Sequence, residues 1–102
     1  GLRVPVDQST DMADLAKLCA LPVLVVARAG LGTINHTLLT LDALAAEGLA
    51  IAGIVLSRVP DIDLATAASN RSEIERLRGK AVHVFDGTDS VALVDYLLRF
   101  RP

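Results

Sequence analysis

Apolar residues follow two alternating patterns along this 102-residue chain. Short runs, mostly apolar, occur at Val23 to Ala27 (VLVVA, unbroken), Ile51 to Leu56 (IAGIVL) and Ala81 to Phe85 (AVHVF). Each is rich in β-branched residues and reads as a strand. The first two suit strands covered on both faces, the habit of a parallel sheet. Between the runs, apolar positions recur every three or four residues, the period of a helix packed on one side. Met12, Leu15, Ala16 and Cys19 make one such stripe. From Thr33 to Glu47 the stripe is Ile34, Leu38, Leu41 and Ala45, widened by Leu39 and Ala46. Further helices are expected over Leu64 to Leu77 and Val91 to Leu98, and Val4-Pro5-Val6 resembles the end of an earlier strand.

Punctuation agrees with these boundaries. Ser9, Thr10 or Asp11 can cap the first helix, and Asp61 and Asp63 suit the start of the third. Gly48 fits the position just past a helix end, and Gly79 and the DGTDS turn close the elements around the last strand. Ser72 and Glu75 have the spacing of a capping box, which hints at a helix start near Asn70. Strands alternating with helices imply parallel strands joined by crossovers, an open three-layer α/β sheet in one domain over residues 1–102. Ligands of such sheets sit beyond the carboxyl ends of the strands. The loops there are Arg28–Thr33, Ser57–Asp63 and Asp86–Ser90. No repeat, linker or low-complexity segment divides the chain.

Composition narrows the function classes. Hydrophobic residues make up 52% and aromatic residues 3%, so the core must be aliphatic. A net charge of −2 offers no electrostatic case for nucleic acid or an anionic membrane. Cys19 is the only cysteine, so it has no intrachain partner; it suits a reducing compartment and a small apolar packing role. The opening GLRVPVDQ lacks the apolar core of a signal peptide, and no run approaches a membrane span. A cytoplasmic location is the expectation.

The stretch RAGLGTINHTLLTLDAL, Arg28 to Leu44, carries the chemistry. Two glycines, a threonine and an asparagine join a strand to a helix. The first N–H groups of a helix lack intrahelical partners, and the helix dipole places roughly half a positive charge beside them. Gly30 and Gly32 allow backbone angles closed to other residues. Thr33 can cap with its hydroxyl, and Asn35 can donate from its amide. Gly30, Leu31, Gly32, Thr33, Ile34 and Asn35 thus form a candidate anion site for a carboxylate or phosphate. The same residue types also serve a purely geometric turn, and the residues alone leave both readings open. GLGTIN is not a phosphate loop, because no lysine follows in the required place.

PVLVVARAGLGTINHTLLTLDAL followed by GLAIAGIVL resembles the carboxy-terminal half of dethiobiotin synthase. GLRVP, Gly1 to Pro5, is similar to the continuation of that family's EGAGG segment. The match is good over Gly1 to Val59 and loose beyond. The resemblance implies a P-loop NTPase-like sheet and an ATP-dependent ligase of biotin synthesis that uses magnesium. That reaction closes the ureido ring of dethiobiotin from 7,8-diaminopelargonate, carbon dioxide and ATP. It implies a homodimer, with the glycine turn holding the substrate carboxylate at the interface through the N–H groups of Gly32 and Thr33 and the side chain of Asn35. It also implies nucleotide contacts at Ser57, where many members carry an adenine-reading asparagine, and at Asp86 and Gly87.

The sequence departs from the family in one large respect. No GxxxxGK[ST] occurs, and Lys17 and Lys80 are the only lysines. A chain without a phosphate cradle is not expected to transfer a phosphoryl group or to bind ATP or magnesium tightly alone. It should need the family's amino-terminal half as a partner. The competing reading is a non-catalytic α/β dimerisation or ligand-binding module. His36 and His83 lack the further ligands of a metal site. Leu39 and Ala46, angled away from the sheet, favour a dimer face.

Overall fold

The computed structural model describes residues 1–58 and 62–99. Val59, Pro60 and Asp61, part of the expected second loop, lie outside the described residues, as do residues 100–102. The element order is α1 (Met12–Cys19), β1 (Val23–Arg28), α2 (Thr33–Ala46), β2 (Ile51–Ser57), α3 (Leu64–Arg78), β3 (Val82–Phe85) and α4 (Ser90–Leu98). The three strands are parallel and lie in the order β1-β2-β3. Each run of β-branched residues became a strand, because those side chains pack well on a pleated surface.

Register fixes the two faces of the sheet. Val25 pairs with Ile54, which pairs with Val82, while Ala27, Leu56 and Val84 form the next row. These residues share one face and belong to the core with Leu41 and Leu44 of α2 and Ala67 and Ile74 of α3. The next residues along point the other way. On that face His83 stacks on Tyr96 of α4, with ring centroids 5.3 Å apart. Helices therefore lie on both sides of the sheet.

Coverage is uneven, which corrects one expectation. β2 is buried from Gly53 to Leu56, whereas β1 alternates, with Val26 62% exposed. Among the described residues β1 pairs only with β2, so its other edge is open. The same kind of apolar run is enclosed at the centre and half bare at the edge.

The helix stripes are corrected in the same way. In α1 the buried residue is Ala13, while Met12, Leu15 and Cys19 are exposed. Cys19 therefore does not serve core packing. In α2 the buried positions are Thr33, Thr37, Leu41 and Leu44; Ala45 faces out with Leu39 and Ala46. Val4-Pro5-Val6 is no strand: Pro5 makes a single antiparallel bridge to Asp11. The Asp7 carboxylate there accepts the Ser9 and Thr10 N–H groups, both at 2.9 Å.

Caps explain the boundaries. Asp11 and Asp14 form a reciprocal capping box on α1. Asp63 caps α3 through the Thr66 N–H, so this helix begins at Leu64 and not near Asn70. Glu75 instead accepts the Val82 N–H at 3.0 Å. Gly48, at φ +70, ends α2 as expected: its N–H donates to Ala45 and that of Leu49 to Leu44. Glu47 accepts from both Arg3 and Lys17 and ties the first segment to the end of α2.

Candidate functional site

Arg28, Ser57 and Phe85 end the three strands in register. The ladder continues one step further: Ala29 N–H donates to Ser57 O at 3.1 Å, and Arg58 N–H donates to Phe85 O at 2.9 Å. Parallel strands thus deliver the glycine turn, Ser57 and Asp86 to one edge of the sheet from adjacent strands.

The turn itself is tightly determined. Ala29 and Gly30 are buried. The Gly30 carbonyl accepts the Thr33 N–H at 3.2 Å, so the Thr33 amide is turned inward and is not part of an open socket. A Cβ on Gly30 would lie 2.8 Å from Cδ1 of Ile62, so close approach is what requires glycine there. Gly32, not Gly30, adopts the left-handed backbone, at φ +91. It is also the N-cap of α2, and no side chain caps this helix. The Thr33 hydroxyl lies instead 3.3 Å from that of Thr37, buried beneath the helix. This replaces the expected threonine cap.

Helical bonding begins with the His36 N–H donating to Gly32 O at 3.1 Å. Among the described residues the N–H groups of Gly32, Ile34 and Asn35 have no hydrogen-bond partner. No acidic side chain occupies the first turn of α2. Three N–H groups and the positive end of the dipole are therefore unspent. Asn35 is exposed beside them, and Leu31 projects fully into solvent. His36 is close as well, its Cε1 3.8 Å from where a Cβ on Gly32 would stand.

A groove of about 800 Å³ runs from this turn along β1. Gly30, Leu31 and Thr33 line it, with His36, Thr37 and Thr40 of α2. Gly32, Ile34, Asn35, Ser57, Asp86 and Gly87 do not. Ser57 is half-buried at the end of the central strand. Asp86 is committed to its own turn: Oδ1 accepts the N–H and hydroxyl of Thr88, each at 2.8 Å, and the Asp89 N–H at 3.1 Å. The Thr88 N–H is the main reason its carboxyl is held below the usual carboxylate range. Gly87 takes the left-handed backbone that the turn needs, at φ +94.

Among the described residues no lysine stands at the glycine turn. Among the described residues no group of three His, Cys, Asp or Glu side chains could hold a metal ion. Lys17 is paired with Glu47, and Lys80 is exposed at the far end of β3 from the glycine turn. Among the described residues no helix is long and apolar enough to cross a membrane.

Sequence reasoning missed Asn70. It was legible only as a hinted helix start. Its side chain instead donates to Ala29 O at 2.8 Å and Gly30 O at 3.2 Å. Ile62, packed on Gly30, carried no signal either.

A family model described as "AAA domain" matches residues 1–91. The chain belongs to this family. Its relatives include proteins named ATP-dependent dethiobiotin synthetase. That of Anaeromyxobacter dehalogenans (strain 2CP-1) is 56% identical over 77 residues, 76% of this chain and 34% of the relative. That of Anaeromyxobacter sp. (strain Fw109-5) is 49% identical over 80 residues, 78% of this chain and 36% of the relative. That of Bacillus cereus (strain B4264) is 42% identical over 82 residues, 80% of this chain and 34% of the relative. The resemblance to dethiobiotin synthase and the P-loop NTPase-type α/β fold are thereby established. The chain spans about a third of the length of the relatives it matches.

Proposed function

We propose that the chain supplies the substrate-carboxylate pocket and the dimer interface of a cytoplasmic ATP-dependent dethiobiotin synthetase. The observation that carries this reading is the set of amides at Gly32, Ile34 and Asn35 that have no partner among the described residues, in a first turn free of acidic side chains. A 77-residue match cannot be placed in a 102-residue chain without including this turn. Its backbone suits a carboxylate, which accepts several N–H bonds at a helix N-terminus. The ligand is 7,8-diaminopelargonate, held by its carboxylate away from the reacting diamine. Asn35 contributes a side-chain donor, and Thr33 shapes the turn without donating to the ligand.

In this reading the nucleotide base lies beside Ser57, with Asp86 and Gly87 forming the wall of its pocket. ATP and magnesium are handled by the parts of the synthetase that this chain does not match; the sequence has no GxxxxGK[ST], and among the described residues there is no metal cluster. Those parts include a strand that pairs with the open edge of β1. The enzyme is a homodimer, and exposed Leu39 and Ala46 of α2 belong to its interface. The chain alone does not catalyse the reaction.

Calorimetric titration with 7,8-diaminopelargonate and its methyl ester tests this reading. The acid should bind, and the ester should bind about ten-fold more weakly or worse, the loss of one charge-assisted hydrogen bond. Asn35→Ala should weaken the acid alone. Equal binding of acid and ester would remove the carboxylate pocket from the account.

A further inference from the structure

We propose that Asn70 is a positioning residue for the carboxylate-binding turn, acting through the backbone of Ala29 and Gly30; this rests on the carboxylate reading of that turn. Asn70 lies in the middle of α3, well past its Asp63 cap. Asparagine is a poor helix former, so a half-buried one inside a helix calls for a reason. The reason is geometric. Its Nδ2 carries two hydrogens, and it stands within hydrogen-bond distance of two successive carbonyls, Ala29 O at 2.8 Å and Gly30 O at 3.2 Å.

A trans peptide points its C=O and N–H in opposite directions. Holding Ala29 O toward α3 therefore turns the Gly30 N–H away from it, and holding Gly30 O turns the Leu31 N–H away. The Thr33 N–H grips Gly30 O from the other side of the turn. Between them, Asn70 and Thr33 oppose a flip of the Gly30–Leu31 peptide, one peptide before Gly32, the one residue of this turn with a left-handed backbone. That flip would break the Thr33 N–H bond to Gly30 O, which closes the turn across Leu31 and Gly32, and so misdirect the N–H groups of Gly32 and Ile34. Asn70 thus sets the aim of a socket it does not itself touch.

The test uses the 102-residue chain with 7,8-diaminopelargonate and its methyl ester as paired probes. Asn70→Asp keeps the shape but loses both donated hydrogens, and Asn70→Ala removes the group. In folded variants, acid binding should weaken about ten-fold, while the weak ester binding changes by no more than about two-fold. A purely structural residue would not shift the acid-to-ester ratio. Unchanged acid binding, or an equal loss for both probes, overturns the role of Asn70 and leaves the carboxylate pocket standing. Acid and ester bound equally by the unaltered chain would overturn both. Should the variants fail to fold, the Asn70 side-chain amide resonances of the unaltered chain provide the readout. They should shift on saturation with the acid and not with the ester; unmoved resonances in the acid complex overturn the proposal.

Discussion

Two glycines in one turn meet different demands. Gly30 is needed for space, since Ile62 leaves no room for a Cβ, yet its neighbour there is the mobile end of a side chain. Gly32 is needed for its φ of +91, which an L side chain adopts only with strain. Gly32→Ala should therefore cost about 1–2 kcal/mol, visible as a lowered midpoint in urea denaturation, together with weaker acid binding. Gly30→Ala should cost less, because Ile62 can move. The sequence indicated that this turn mattered but not how its labour was divided. Thr33 was a reasonable cap by residue type, yet its hydroxyl found Thr37 one turn on, and the cap fell to the residue before it. Asn70 was illegible for a different reason. Its partners lie 41 and 40 residues away in the chain, and only the crossover from β2 to β3 brings them together.

At the scale of elements, order and type were legible because β-branched runs and period-3.6 stripes are local. Burial was not, because it depends on neighbours. VLVVA and IAGIVL look alike in sequence, but one became the open edge and the other the enclosed centre. Nor did the sequence show how α4 is held. Its single tyrosine, Tyr96, is 4% exposed and accepts the Ile54 N–H at 2.8 Å, with Ile54 O and Ala81 O within 3.0 Å of its hydroxyl. One hydroxyl thus joins α4 to the middle of β2 and to the residue just before β3. Burial pushes its titration upward. Tyr96→Phe keeps the ring against His83 but leaves the Ile54 N–H without that acceptor. The expected loss is about 1–3 kcal/mol, read from chemical denaturation.

For the whole molecule, the division of labour follows from what the fold places at one end of the sheet. The glycine turn, Ser57 and Asp86 leave adjacent strands side by side, while among the described residues no cluster of His, Cys, Asp or Glu could hold a metal. Among the described residues the other edge of β1 is open and borders the groove, and on the proposed reading a strand of the rest of the synthetase pairs there, in a chain that spans about a third of its relatives. The central claim is that the first turn of α2 receives a carboxylate on main-chain amides. Amide-resolved NMR during titration with 7,8-diaminopelargonate tests it most directly. The largest shifts should fall on Gly32, Ile34 and Asn35, should spare the inward-turned amide of Thr33 by comparison, and should vanish with the methyl ester. Shifts of equal size with acid and ester, or shifts confined to other segments while these three amides stay still, would contradict the account.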